Sequence, residues 1–257
     1  MMNSLERSLV QKAGYDHGWE VVVEDRPEQV VLASALHHAR ARIQSALPSS
    51  RWLLTVTPRP IHRELERAEP SFYLTGEYFR ANNEAELGRL LEQGARLART
   101  LPDEPCHRFE KALAEQLSAS NVTTSATEVD RLVRQRVGQN IYRESLMDYW
   151  SGACAVTGIS IPELLRASHA KPWADCVTDT ERLNVYNGFL LCAQLDALFD
   201  RRLMTFNEAG EALFSPFIDD DIRKKLGLQG RQKLRWITPE HQAFLAWHRE
   251  AFVCATK

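Results

Sequence analysis

The stretch from Leu164 to Asp200, LLRASHAKPWADCVTDTERLNVYNGFLLCAQLDALFD, limits what this chain can fold into more than any other. A short apolar run ends in His169, and a polar loop with Pro172 and Trp173 follows. Asn187-Gly188 then leads into a second apolar run, Phe189 to Cys192, and a helical pattern carrying Asp196 and Asp200. The order predicts strand, loop, strand, helix. Such a unit brings together one imidazole, one carboxamide and two carboxylates, the two acids lying four apart on one helix face.

The 257 residues suffice for one large or two small domains. Ser118 to Thr127 is the clearest shift in composition, so the expected organisation is an N-terminal α/β domain over 1–117, a linker over 118–127 and a second domain over 128–257. In the first domain, strands are expected at Trp19–Glu24, Trp52–Thr57 and Ser71–Thr75, giving three or four in all. Helices are expected over Val30–Ala46 (started by Pro27), over Glu84–Arg99 behind an Asn83 cap, and over Arg108–Leu117. No P-loop, GxGxxG or GxSxG occurs there, and His37, His38 and His62 have no further ligand at metal-binding spacing. In the second domain a helix is expected over Glu128–Tyr149, interrupted near Gly138. A hairpin over Leu203–Ser215 and a tail helix after Thr238, with His248 as a structural residue, complete it. The fold class is α+β.

ASHAKPW, NVYNGFLLCAQLDALFD and the preceding GACAVTG resemble the HNH endonucleases, the ββα-metal nuclease superfamily, in the branch common among bacterial restriction and phage-defence proteins. The resemblance runs from about Arg136 to the tail. Arg136, Gln139, Tyr142 and Arg143 match positions usually Arg, Gln, aromatic and Arg in that branch, and they either pack the helix or contact DNA. It implies a divalent-metal-dependent DNA endonuclease in which His169 is the general base. Asn187 is then either a metal ligand or the residue that holds the loop and the histidine. The family's last histidine is replaced by Asp196, nine residues after Asn187, with Asp200 following; oxygen donors favour Mg2+ or Mn2+, and the resemblance adds Ni2+ as a further candidate. Ser168 stands where many members have an acidic or histidine ligand, which keeps open a catalytically weakened DNA-binding or defence-complex subunit.

A phosphodiester hydrolase needs an activated water and charge stabilisation at the phosphoryl and leaving oxygens, and a neutral imidazole suits the first task. Many relatives hold a structural zinc with two CxxC pairs. Here only Cys154 and Cys192 match, with Thr157 and Leu195 in the partner places, so no structural zinc is expected. Five scattered cysteines also argue for reduced thiols over a disulfide framework.

The net charge of -2 does not mark a nucleic-acid binder, but charge is unevenly spread. Six cations fall between Arg223 and Arg235, among them Lys224, Lys225, Arg231 and Lys233. With Arg143, Lys171, Arg201 and Arg202 these are the expected DNA contacts, the alternative being a solvated helix and turn. A homodimer or a defence-system partner protein fits the same resemblance. The start of the chain lacks a signal-peptide core and no run approaches a membrane span, so a cytoplasmic protein without membrane contact is expected.

Overall fold

In the computed structural model, which describes residues 1–46, 51–74, 76–119 and 126–255, Asn3 starts the first helix, α1 (Ser4–Asp16). Its side chain accepts the Glu6 N–H while the Glu6 carboxylate accepts the Asn3 N–H, a capping box that the sequence reading passed over. Strand β1 (Val21–Asp25) is joined to β2 (Gln29–Ala33) by a tight turn in which Arg26 and Gln29 exchange backbone hydrogen bonds. Pro27 therefore sits inside a hairpin turn, where its fixed φ serves as well as at a helix start.

The helix expected over Val30–Ala46 is instead β2 followed by β3 (Arg40–Ser45). Ala41 and Ile43 are buried while Arg40 and Arg42 are exposed, a period of two, and Val30, Val31 and Leu32 form a buried run rich in β-branched residues. Next come β4 (Trp52–Thr57), α2 (Arg59–Ala68), β5 (Tyr73–Leu74), β6 (Tyr78–Ala81) and α3 (Glu84–Ala98), the last capped by Asn83 as expected. The strands form one antiparallel sheet of six, in the order β1-β2-β3-β4-β6-β5, two or three more strands than expected. Its core contains Leu32, Ile43, Trp52, Leu54 and Phe79.

The chain divides into two compact units, Met1–Glu104 and Pro105–Lys257. That division precedes the expected linker by nearly the length of α4 (Glu104–Ala119), and most of 118–127 lies outside the described residues. In the second unit α5 (Ala126–Tyr149) runs for 24 residues without the interruption expected at Gly138. The glycine is there for a neighbour: a Cβ on it would lie 2.1 Å from Cη2 of Trp173.

Then follow β7 (Leu165–His169), α6 (Asp179–Leu183), β8 (Gly188–Cys192), α7 (Ala193–Asp200), the hairpin β9 (Met204–Phe206) and β10 (Ala212–Phe214), α8 (Asp220–Lys225) and α9 (Pro239–Ala255). β7 and β8 pair antiparallel with Leu165 opposite Cys192 and His169 opposite Gly188. The fold is α+β, 47% helical and 20% strand.

An aromatic core holds this unit. Trp150 and Trp236 stack at 4.0 Å, and Phe189 packs against Phe199 and Phe206. His248 on α9 stacks on Phe199 at 3.9 Å, donates from Nε2 to the Phe199 carbonyl and pairs through Nδ1 with the Thr205 hydroxyl. Burial pushes this imidazole down to about 4, against the opposing pull of the Phe199 carbonyl. The folded state thus prefers neutral His248, whereas the unfolded chain takes up a proton near pH 6.5. Stability contributed by His248 is complete above pH 6.5 and declines as the pH falls toward 4. Urea midpoints measured at pH 7 and pH 5 are expected to differ more for the wild type than for His248→Asn, and equal differences would remove His248 as the cause.

Candidate active site

Successive side chains of a strand point to opposite faces, and β7 uses this at its last two positions. Ser168 faces α7, where its hydroxyl donates to Oδ1 of Asp196 at 2.5 Å. His169 faces α5, stacking on Tyr142 with ring centroids 3.8 Å apart and planes 16° from parallel. Asp196 and the residue preceding the histidine are thereby in contact. Asp200 lies one turn further along α7, exposed to solvent.

The half-buried imidazole has a defined tautomer. Its Nε2 lies 2.8 Å from the carbonyl oxygen of Arg182, and a carbonyl only accepts, so Nε2 carries the hydrogen. Nδ1 keeps its lone pair and has no hydrogen-bond partner among the described residues. Burial pushes His169 down to about 4, opposed by the Arg182 carbonyl, so the ring is neutral at physiological pH. This is the protonation state that a proton acceptor requires.

The Arg182 carbonyl is placed by the loop between the strands, and Asn187 is the hub of that loop. Its fully buried carboxamide accepts the Lys171 N–H at 2.9 Å and donates to the Lys171 carbonyl, the Glu181 carbonyl and Cys176 Sγ. Of the two roles expected for Asn187, these are the contacts of the loop-holding one, and no part of the group is open to solvent. Glu181 adds a second tie: its carboxylate accepts from Lys171 Nζ at 2.6 Å and from the Val177 N–H at 2.7 Å, while its own N–H is capped by the Thr178 hydroxyl. Removing the hub as Asn187→Ala leaves the Lys171 N–H and the Glu181 carbonyl without these partners and the Lys171 carbonyl with the Cys176 thiol as its donor. A loss of about 2 kcal/mol or more in urea unfolding is expected, and a loss under half of that would mean the loop is held elsewhere.

Several participants escaped the sequence reading. In the sequence Tyr142 is only a helix position that matches the resemblance. It supports His169 and donates its hydroxyl to the Asn187 carbonyl at 3.0 Å. Cys176 and the Arg182 carbonyl carried no signal. Glu181 did, since Thr178-Asp-Thr-Glu181 has the Thr-x-x-Glu spacing of a helix start.

The expected DNA contacts divide by what they touch. Arg143 donates to the carbonyls of Leu165 and Pro162, tying α5 to the start of β7. Lys171 is paired with Glu181, Lys225 with Asp221 at 2.5 Å, and Arg231 with Glu211. Arg202 lies over the Trp247 ring at 5.7 Å. Arg201, Lys224 and Lys233 are exposed and without a carboxylate partner among the described residues.

Cys154 and Cys192 meet. The Cys192 and Thr157 N–H groups point at Cys154 Sγ at 3.3 and 3.5 Å, and the Cys192 thiol donates to the same sulfur, which draws the Cys154 thiol below its ordinary range and pushes Cys192 up. Leu195, in the place of one missing cysteine, is fully buried. Among the described residues no three His, Cys, Asp or Glu side chains gather as a metal-binding group, and no helix is long and apolar enough to cross a membrane.

Comparison with curated proteins returns no match. Residues 154–207, which contain β7, the loop, β8, α7 and β9, match the HNH_2 family, described as HNH endonuclease. The match puts an HNH domain in the C-terminal part of the chain.

Proposed function

We propose that this protein is a divalent-metal-dependent endonuclease that hydrolyses DNA phosphodiester bonds, with His169 as general base. The observation carrying the reading is the imidazole itself: neutral, fixed through Nε2 by the Arg182 carbonyl, with Nδ1 left to accept a proton from water. Asn187 keeps the loop, and so that carbonyl, in place, which makes it a positioning residue here and not a metal ligand.

Asp196 and Asp200 lie one helical turn apart on α7 with the Ser168 hydroxyl against Asp196, a set of hard oxygen donors. That chemistry fits Mg2+ or Mn2+, which need few protein ligands when substrate oxygens and water complete the shell. When bound, such an ion stabilises charge on the phosphoryl oxygens and the departing 3′ oxygen. Arg201, Lys224 and Lys233 provide attraction for the phosphate backbone. Lys224→Ala and Lys233→Ala are each expected to lower the salt slope of DNA binding by about one; an unchanged slope in both would place the DNA elsewhere.

Nicking of supercoiled plasmid in EDTA, Mg2+, Mn2+ or Ni2+ tests the whole reading, with Asp196→Ala as the control for the metal. Cutting that requires a metal and disappears in the variant is expected. Cutting in EDTA, or a variant as fast as the wild type, overturns it. One observation favours a second reading: the Ser168 hydroxyl occupies an oxygen of Asp196, as in a catalytically weakened subunit that binds DNA without cutting. Salt-sensitive DNA binding with no nicking in any metal would select it. The biological setting assigned to either reading is bacterial restriction or phage defence in the cytoplasm, as a homodimer or with a defence partner protein. The antiparallel-sheet unit would then choose the target or regulate cutting.

A further inference from the structure

The loop that fixes His169 is also one wall of a cleft. The opposite wall is the N-terminal half of α5, where Arg131, Arg134 and Gln135 share a face by their spacing of three and four. The cleft has a volume of about 840 Å³, within the range of pockets that take small ligands. One nucleotide fits such a space.

Three features set the chemistry of its occupant. The first is charge. Arg134 and Arg182 share a single carboxylate, Asp179, at 2.6 and 3.1 Å, while Arg131 is exposed and has no partner among the described residues. Among the described lining residues cations outnumber acids, and Arg131 is the one without an ion pair. The second is an aromatic wall: the half-buried indole of Trp173, its tip held against Gly138, and Val177 at the rim with 82% of its surface exposed. Third is position. The Trp173 ring meets His169 edge-on at 6.1 Å, so the cleft and the proton acceptor share a side chain.

We propose that this cleft binds one unpaired nucleotide of the DNA strand beside the bond attacked from His169, its base against Trp173 and Val177 and its phosphate at Arg131. The proposal rests on the reading of this chain as a DNA nuclease and adds a substrate class to it: DNA with an unpaired nucleotide next to the cleavage site. Stacking on an aromatic side chain is tolerant of base identity because every base offers a π face, so the cleft selects for lack of pairing and not for sequence.

The test uses the full chain in EDTA, where binding is separated from cutting. Two fluorescently labelled DNA hairpins are compared by anisotropy, one fully paired and one with a single unpaired 2-aminopurine. The wild type is expected to bind the second about tenfold more tightly and to quench its 2-aminopurine fluorescence. In Arg131→Ala and Gln135→Ala, both at exposed positions, the ratio of affinities is expected to fall toward one. Equal affinity of the wild type for the two hairpins, or a preference that survives both substitutions, overturns the proposal. Metal-dependent nicking of plasmid is scored separately, so a chain that nicks without preferring the unpaired probe sinks the cleft and leaves the nuclease. A chain that binds neither hairpin and does not nick overturns both.

Discussion

Replacing His169 with alanine is expected to slow metal-dependent nicking by about 10²–10⁴-fold, the usual worth of a positioned acid–base group. The effect should fall on turnover and not on DNA affinity, because the ring touches Tyr142, Trp173 and the Arg182 carbonyl and not the exposed cations Arg201, Lys224 and Lys233. Some stability is lost as well, since the Arg182 carbonyl loses its donor, a cost of about 1–3 kcal/mol. His169→Gln separates the two effects by offering an amide donor near that carbonyl without an imidazole. Both variants should be folded and slow. If either cuts at the wild-type rate, His169 is not the base.

The pH dependence of the same residue has a definite sign. Burial holds the folded imidazole at about 4, so the neutral, proton-accepting form dominates through pH 6 to 8. A divalent cation nearby would push it further in the same direction. Nicking is therefore expected to lose nothing through His169 protonation between pH 8 and 6, and to fall only below about pH 5. A loss centred near 6.5 would mean that the ring titrates as if in water and that the contacts with Tyr142 and Arg182 open during turnover.

What could be read in the sequence was local. Apolar runs, the resemblance they carry and the four-residue helical spacing order His169, Asn187, Asp196 and Asp200 along the chain, and β4 and the Asn83-capped α3 lie where an apolar run and a cap put them. Val30–Ala46 failed because its apolar spacing fits either period. The choice fell to neighbours distant in sequence, the pairings of Ile43 with Val30 and Leu54. The site was half legible. A backbone carbonyl such as that of Arg182 has no side-chain signature, so what orients the histidine could not be read from residue types. The basic run misled for a different reason: Asp220 and Asp221 stand three and four residues before Arg223 and Lys225, the spacing of intrahelical ion pairs, so part of its charge was committed in plain view.

Asn187-Gly188 resembles an ordinary turn dipeptide, yet Gly188→Ala is expected to be among the most damaging single substitutions in the chain. Its backbone is ordinary; its surroundings are not. A Cβ at this position would lie 2.0 Å from the Ser168 carbonyl oxygen and 2.3 Å from the Tyr142 hydroxyl. The first obstacle is backbone of the paired strand, which cannot turn aside as a flexible side chain would. β8 must then separate from β7 at the His169–Gly188 pair, or Tyr142 must withdraw from the Asn187 carbonyl. A destabilisation of about 3 kcal/mol or more is expected, together with a loss of nicking greater than the unfolded fraction explains. Gly158 is the control: it has φ +72° and nothing within 4 Å of its would-be Cβ, so alanine there costs about 1–2 kcal/mol from backbone strain alone and spares the site. Urea midpoints and nicking rates of the two variants decide the matter. If Gly188→Ala unfolds and cuts like Gly158→Ala, the close approach of β7, β8 and Tyr142 does not hold the base. If the gap is large, this glycine is what lets a tyrosine on α5 reach the Asn187 carbonyl and support the histidine one strand away.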